Sequence, residues 1–151
     1  DLGTYDGLVI GASVHVGKHQ KHMAEFVRKH QQVLNEKPSA FFTVSLSSAD
    51  DHPESKKSAR EAVDKFTEET GWKPDMIALF AGALRYTHYG FIKRTFMRHL
   101  MKKKGSHDLD SSKDYVYTDW EEVDDFARVF RQSLDWPLEG LDVELPPSSP
   151  A

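Results

Sequence analysis

The chain reads as an α/β domain built on a parallel sheet, and three features of its sequence point that way. Short apolar runs without alternation recur at Asp6–Ala12, Ser39–Leu46 and Met76–Gly82. Stretches of helical periodicity separate them, and glycine, proline or polar loops mark the junctions. Unalternating runs suit strands covered on both faces, and strands that take turns with helices build right-handed βαβ units.

The first run, Asp6–Ala12, is bounded by glycines and lacks the alternation of a half-exposed strand. A loop containing Gly and Ser leads into a helix with Met23, Phe26, Val27, His30 and Leu34 on one face and Lys, Arg, Glu and Gln on the other. Pro38 stops it. Ser39–Leu46, rich in β-formers, is the second strand. The polar loop Ser47–His52 delivers Pro53 to the first position of a second helix. Ala59, Ala62, Val63 and Phe66 form its buried stripe, Gly71 its C-terminal cap, and Pro74 follows. Met76–Gly82 is the third strand.

The alternation then breaks. Residues 85–114 hold an aromatic, basic helix and a polar loop. Asp114–Thr118 reads as a short strand. Thr118 and Glu121 have capping-box spacing ahead of a last helix with the stripe Val123, Phe126, Ala127, Phe130 and Leu134. Trp72, Trp120 and Trp136 are expected to be packing residues. Residues 1–135 thus form one domain carrying an insertion at 85–114, and the Pro/Ser-rich stretch 136–151 reads as irregular.

Composition narrows the function. At 151 residues the chain is long enough for a real core, and 38% hydrophobic with 29% charged residues fits a polar globular domain. A net charge of -4 argues against a nucleic-acid binder. With no cysteine there is no disulfide, thiolate nucleophile or iron–sulfur ligand. The longest apolar run, Met76–Leu84, is far short of the roughly 20 residues that span a bilayer. The chain opens on Asp1 without a signal peptide and reaches a strand by about Leu8, which suggests a piece of something longer.

Four stretches look familiar when taken in order: Tyr5–Ser13, Pro38–Leu46, Ala81–Tyr86 and Val116–Glu121, with a basic insertion between the last two. Together, over about residues 5–131, they resemble the flavodoxin-type, menaquinone-dependent protoporphyrinogen oxidase family. The resemblance implies a flavodoxin-like, doubly wound sheet carrying FMN, incomplete at its N-terminal end here. It also implies oxidation of protoporphyrinogen IX to protoporphyrin IX in haem synthesis, with electrons passed to menaquinone or another membrane quinone. The family's first strand and its Ser/Thr/Gly-rich phosphate loop have no counterpart in this sequence, so the ring-contacting half of the site is the part expected. The strand at residues 8–12 is then expected to present an open apolar edge, to be covered by a missing segment or a second copy of the chain.

Candidate sites follow from strand ends and local charge. Ala12, Ser13, Val14, His15, Val16, Gly17 and Lys18 follow the C-terminal end of a strand, where open α/β sheets bind ligands. The resemblance makes this loop a flavin contact; the plain alternative is an ordinary strand-to-helix turn. Ser45, Leu46, Ser47 and Ser48 end the next strand, as a second flavin contact or simply a solvated loop. His15, His19 and His22 match no zinc spacing and read as loop or surface histidines, so no metal is expected. Arg85, Tyr86 and Tyr89 offer stacking and a guanidinium to a flat, carboxylate-bearing porphyrin, or else merely anchor the insertion. Ile92, Phe96 and Leu100 line one face of a helix whose Lys93, Arg94 and Arg98 are cationic. Such a helix suits an anionic membrane surface, on the cytoplasmic side in this reading, or equally a core-packed helix with solvated lysines. The rival functions are a flavodoxin-type electron carrier or quinone reductase with another substrate, and a non-catalytic binding module.

Overall fold

The computed structural model describes residues 1–49, 52–85, 113–135 and 143–144. In chain order its elements are β1 (Leu8–His15), β2 (Lys18–His19), α1 (Lys21–Glu36), β3 (Ser39–Ser45), α2 (Pro53–Thr70), β4 (Met76–Ala81), β5 (Ala83–Arg85), β6 (Asp114–Val116), α3 (Trp120–Asp135) and β7 (Val143–Glu144). The main sheet runs β2-β1-β3-β4-β7. β1, β3, β4 and β7 are parallel, whereas β2 folds back antiparallel on the end of β1. β5 and β6 form a separate antiparallel ribbon. β7 lies within the stretch read as irregular.

Successive crossovers in one direction put α1 and α2 on the same face of the sheet. There Val27 and Leu34 of α1 and Val63 and Phe66 of α2 close over Leu8, Ala12 and Phe41. Phe41 stacks on Phe66 at 4.9 Å, and the buried Trp72 donates its indole N–H to Ser39 Oγ at 3.0 Å. Each such ring contributes about 2–3 kcal/mol by leaving water. On the opposite face α3 lays Phe126 and Phe130 against Ala40, Met76, Ala78 and Phe80. Apolar side chains on both faces are why these strands do not alternate in sequence.

Several local expectations shift. The buried face of α1 is Ala24, Val27 and Leu34, while Phe26 is exposed and meets His30 at 4.7 Å. Ala24 and Phe26 both fit a helical stripe, and the close approach to α2 selects the smaller one. Gly71 does cap α2 in the left-handed region at φ 69, and its carbonyl accepts from Gln31 Nε2 and Asn35 Nδ2 of α1. On α3, Ser133 is buried and Ala127 exposed. The N-cap of α3 is Asp119 rather than Thr118: Asp119 Oδ1 accepts from the amides of Glu121 and Glu122 at 2.9 and 3.3 Å. Thr118 is engaged elsewhere, donating its hydroxyl to the Ala81 carbonyl at 2.8 Å. Trp120 is 66% exposed and does not pack as expected, because it stands at the first turn of α3 beyond the helix's buried stripe. Trp136 lies outside the described residues.

Along Leu8–Ser13, no described strand pairs with β1 on the side away from β3; β2 reaches only Val14 and His15. Val9, on the face not covered by α1 and α2, is 45% exposed.

Candidate cofactor site at the strand ends

The parallel register places the two candidate loops side by side. Ala12 lies opposite Thr43 and Ser13 opposite Val44, so β1 and β3 leave the sheet at the same end on adjacent strands. The segment Ala12–Lys18 is a hairpin rather than a strand-to-helix turn. β1 continues through His15, reverses at Val16 and Gly17, and returns as β2. Both turn residues have positive φ, 52 and 73, the backbone that matches the twist of a two-residue hairpin. Glycine takes that conformation freely, whereas Val16 is β-branched and fully exposed, so the turn stores strain of order 1–3 kcal/mol. Nothing lies within 4 Å of where a Gly17 Cβ would stand, so the backbone faces open space.

Side-chain chemistry at this end is mixed. Ser13 Oγ and His15 Nε2 are 3.2 Å apart on neighbouring outward positions of β1. At the end of β3, the buried Ser45 hydroxyl accepts from the Ser48 amide at 3.1 Å and lies 2.8 Å from the Ser48 hydroxyl. That pair shapes the 3-10 turn Ser47–Ala49, and the Gly82 amide donates to the Ser45 carbonyl at 3.1 Å to fix the turn to β4. Ser47, Leu46 and Val14 are half-buried near these polar groups. Hydroxyls and amides interleaved with aliphatic side chains suit a flat heterocycle with one polar and one apolar edge. The residues present therefore fit an isoalloxazine ring.

Of the histidines read as surface or loop residues, His19 is not one. Its ring lies beside the stacked Phe41–Phe66 pair, 4.7 Å from Phe66 and 5.4 Å from Phe41. Nε2 lies 3.2 Å from Thr43 Oγ1. Burial pushes its pKa down, and a hydrogen bond to the Ala62 backbone opposes the shift. Its lone polarity on an otherwise apolar face carried no sequence signal for this role. Among the described residues, no group of three or more His, Cys, Asp or Glu side chains is placed to hold a metal.

Arg85 closes β5, and its backbone pairs with Asp114 of β6. The ribbon springs from the end of β4, so Arg85 belongs to the same end of the sheet as both loops. Beside it the rings of Tyr115 and Tyr117 stack at 6.4 Å, and burial, then Tyr115, raises the Tyr117 pKa. Tyr86 and Tyr89, and the basic helix residues Ile92, Lys93, Arg94, Phe96, Arg98 and Leu100, lie outside the described residues. No described helix is long and apolar enough to cross a membrane.

Two cavities escaped sequence reading, because each is assembled from distant segments. An apolar one of about 460 Å³ lies between the sheet and α3, lined by Val9, Phe42, Phe80, Trp120 and Phe126 among others. A second, of about 380 Å³, opens where β2 and the start of α1 meet α2.

A parallel sheet with helices on both faces and two candidate loops at adjacent strand ends defines a flavodoxin-type domain, and the family described as "Flavodoxin domain" matches residues 1–110. The chain is 40% identical over 136 residues to the Protoporphyrinogen IX dehydrogenase (quinone) of Escherichia coli strain K12, spanning 88% of this chain and 72% of that protein. It is 35% identical over 129 residues to the enzyme of the same name from Leishmania major, spanning 85% of this chain and 55% of that protein. The chain belongs to the flavodoxin-type protoporphyrinogen IX dehydrogenase family, a family of quinone-linked oxidoreductases. No solved structure matches it.

Proposed function

We propose that this chain forms the ring-binding part of an FMN-dependent enzyme that oxidises protoporphyrinogen IX to protoporphyrin IX and passes the electrons to a quinone. The observation that carries this is the juxtaposition of the Val16–Gly17 hairpin and the Ser45–Ser48 turn at one end of two adjacent parallel strands. Its chemistry is drawn from relatives named for that reaction. When bound, FMN supplies the electron-transfer chemistry. The residues Ala12–Lys18 and Ser45–Ser48 would hold the ring: Ser13, His15 and Ser47 would offer it hydrogen bonds, and Val14 and Leu46 would offer apolar contact.

In this reading Arg85, Tyr86 and Tyr89 flank the flat substrate, and the phenols of Tyr115 and Tyr117 continue that aromatic surface. The basic amphipathic stretch around Ile92, Lys93, Arg94, Phe96, Arg98 and Leu100 meets the anionic inner face of the cell membrane, where the quinone is dissolved.

The test has two arms. Protein mixed with FMN and then desalted is expected to keep the flavin's yellow absorbance. Without oxygen, that protein is expected to turn protoporphyrinogen IX into fluorescent porphyrin only when a quinone is supplied. Colourless protein would remove the FMN assignment. Yellow protein that reduces a quinone but leaves protoporphyrinogen IX untouched would favour an electron carrier.

A further inference from the structure

The second cavity adjoins the ring site at Gly17 and Lys18 and is otherwise lined by β2, α1 and α2. Its floor is apolar, formed by Ala24 of α1 and by Ala62 and Phe66 of α2. Its rim carries Lys18 from β2, Lys21 from the first position of α1 and Lys65 from α2. Cations from three separate elements therefore converge on about 380 Å³ of space.

Little offsets that charge locally. The one carboxylate in the lining, Glu69, is held by Arg28 at 2.7 Å. Lys21 has Glu25 at 3.5 Å, and both are largely exposed, so the pair is weak. The side chains of Lys18 and Lys65 have no ion-pair or hydrogen-bond partner among the described residues. The first turn of α1 has no acidic residue, and its N-cap Gln20 makes no side-chain cap, so the helix dipole adds to the positive field. His19 also lines the space, but its ring faces Thr43 and the Ala62 backbone. A chain of net charge -4 that gathers three lysines, two of them without an ion-pair partner among the described residues, over an apolar floor has built a place for an anion with aliphatic arms.

Gly17 and Lys18 belong both to this rim and to the hairpin beside the ring site. From β1 to β4, where Arg85's ribbon begins, the sheet spans two strand spacings, about 10 Å. A flat macrocycle lying across the strand ends would bring one edge to the lysines and the other to the ribbon.

We propose that this cavity seats the two carboxylate arms of the tetrapyrrole, with Lys18, Lys21 and Lys65 as their counter-charges and Ala24, Ala62 and Phe66 beneath their methylenes. This rests on the proposed substrate class and fixes the orientation of the substrate on the sheet.

Equilibrium binding to the full chain, without flavin or turnover, tests it. Protoporphyrin IX and its dimethyl ester are compared by fluorescence. The free acid is expected to bind about tenfold more tightly than the ester at low salt, and the preference to shrink as salt rises. Lys65→Glu and the double variant K21Q/K65Q are expected to abolish the preference while leaving ester binding and the thermal melt unchanged. Arg85→Gln, which removes the rival cation at the other edge, is expected to keep it.

Equal binding of acid and ester, or loss of the preference in Arg85→Gln but not in the lysine variants, overturns the proposal. So does a lysine-dependent attachment to anionic vesicles or to inorganic phosphate with unchanged porphyrin affinity, since the cavity would then serve another anion. Lysine-dependent porphyrin binding without turnover would leave this site standing while defeating the enzymatic reading. Turnover indifferent to the lysines would do the reverse.

Discussion

At His19 a half-buried polar side chain packs against an aromatic pair while keeping polar partners. Phe41 and Phe66 meet its ring at tilted angles, and Thr43 and the Ala62 backbone take polar contacts. Burial is the larger effect and lowers its pKa below the ordinary 6.5. The unfolded chain therefore binds a proton over a pH range where the native state refuses it. The stability contributed by neutral His19 is complete above about pH 6.5 and is lost as pH falls from there toward the folded value. Urea denaturation at about pH 7.5 and about pH 5.5 should show lower stability at the acidic point. His19→Gln should cost about 1–2 kcal/mol at the higher pH and flatten that difference. An unchanged slope in the variant would assign the acid sensitivity to another group. Sequence alone could not find this residue, because a histidine after a glycine turn reads the same whether it points to solvent or into the core.

Among the elements, α3 illustrates how a local signal is right in kind and displaced in place. The Thr118–Glu121 spacing announced a helix start, and one exists, but the hydroxyl of Thr118 is taken by the Ala81 carbonyl and the cap passes to Asp119. Asp119→Ala should therefore destabilise the protein by about 1 kcal/mol in thermal or chemical unfolding. Glu121→Ala should cost clearly less. The reverse order would restore the capping box. Likewise α1 was recognisable as an amphipathic helix, but its buried stripe is rotated from Phe26 toward Ala24. Periodicity gives the width of an apolar stripe; only the distance to the neighbouring helix chooses its centre.

For the molecule as a whole, the sheet has one well-finished side and one open side. α1 and α2 bury Leu8, Ala12 and Phe41 on one face, whereas α3 covers the other only over β3 and β4, leaving Val9 and the apolar cavity beside Phe42 accessible. The adjoining edge of β1 has no described partner over Leu8–Ser13. An uncharged edge next to exposed apolar surface favours association with another strand. Raising the protein concentration in sedimentation experiments should increase the average mass, and Val9→Lys should suppress this without lowering the melting temperature. A wild-type chain that stays monomeric under the same conditions would show that the edge is already protected.

Much of this protein was written in its amino-acid order: three buried parallel strands, the helices between them, the Gly71 stop, and the familiar motifs that mark its family. These are legible because strand burial, helical period and turn chemistry are properties of neighbouring residues. What the tertiary structure alone decided is how the ends meet. It converted Ala12–Lys18 from a loop into a hairpin, set His19 against the Phe41–Phe66 pair, and placed the lysines of three elements around one cavity. Those outcomes depend on register and on the packing of segments far apart in the chain, and no local pattern encodes them.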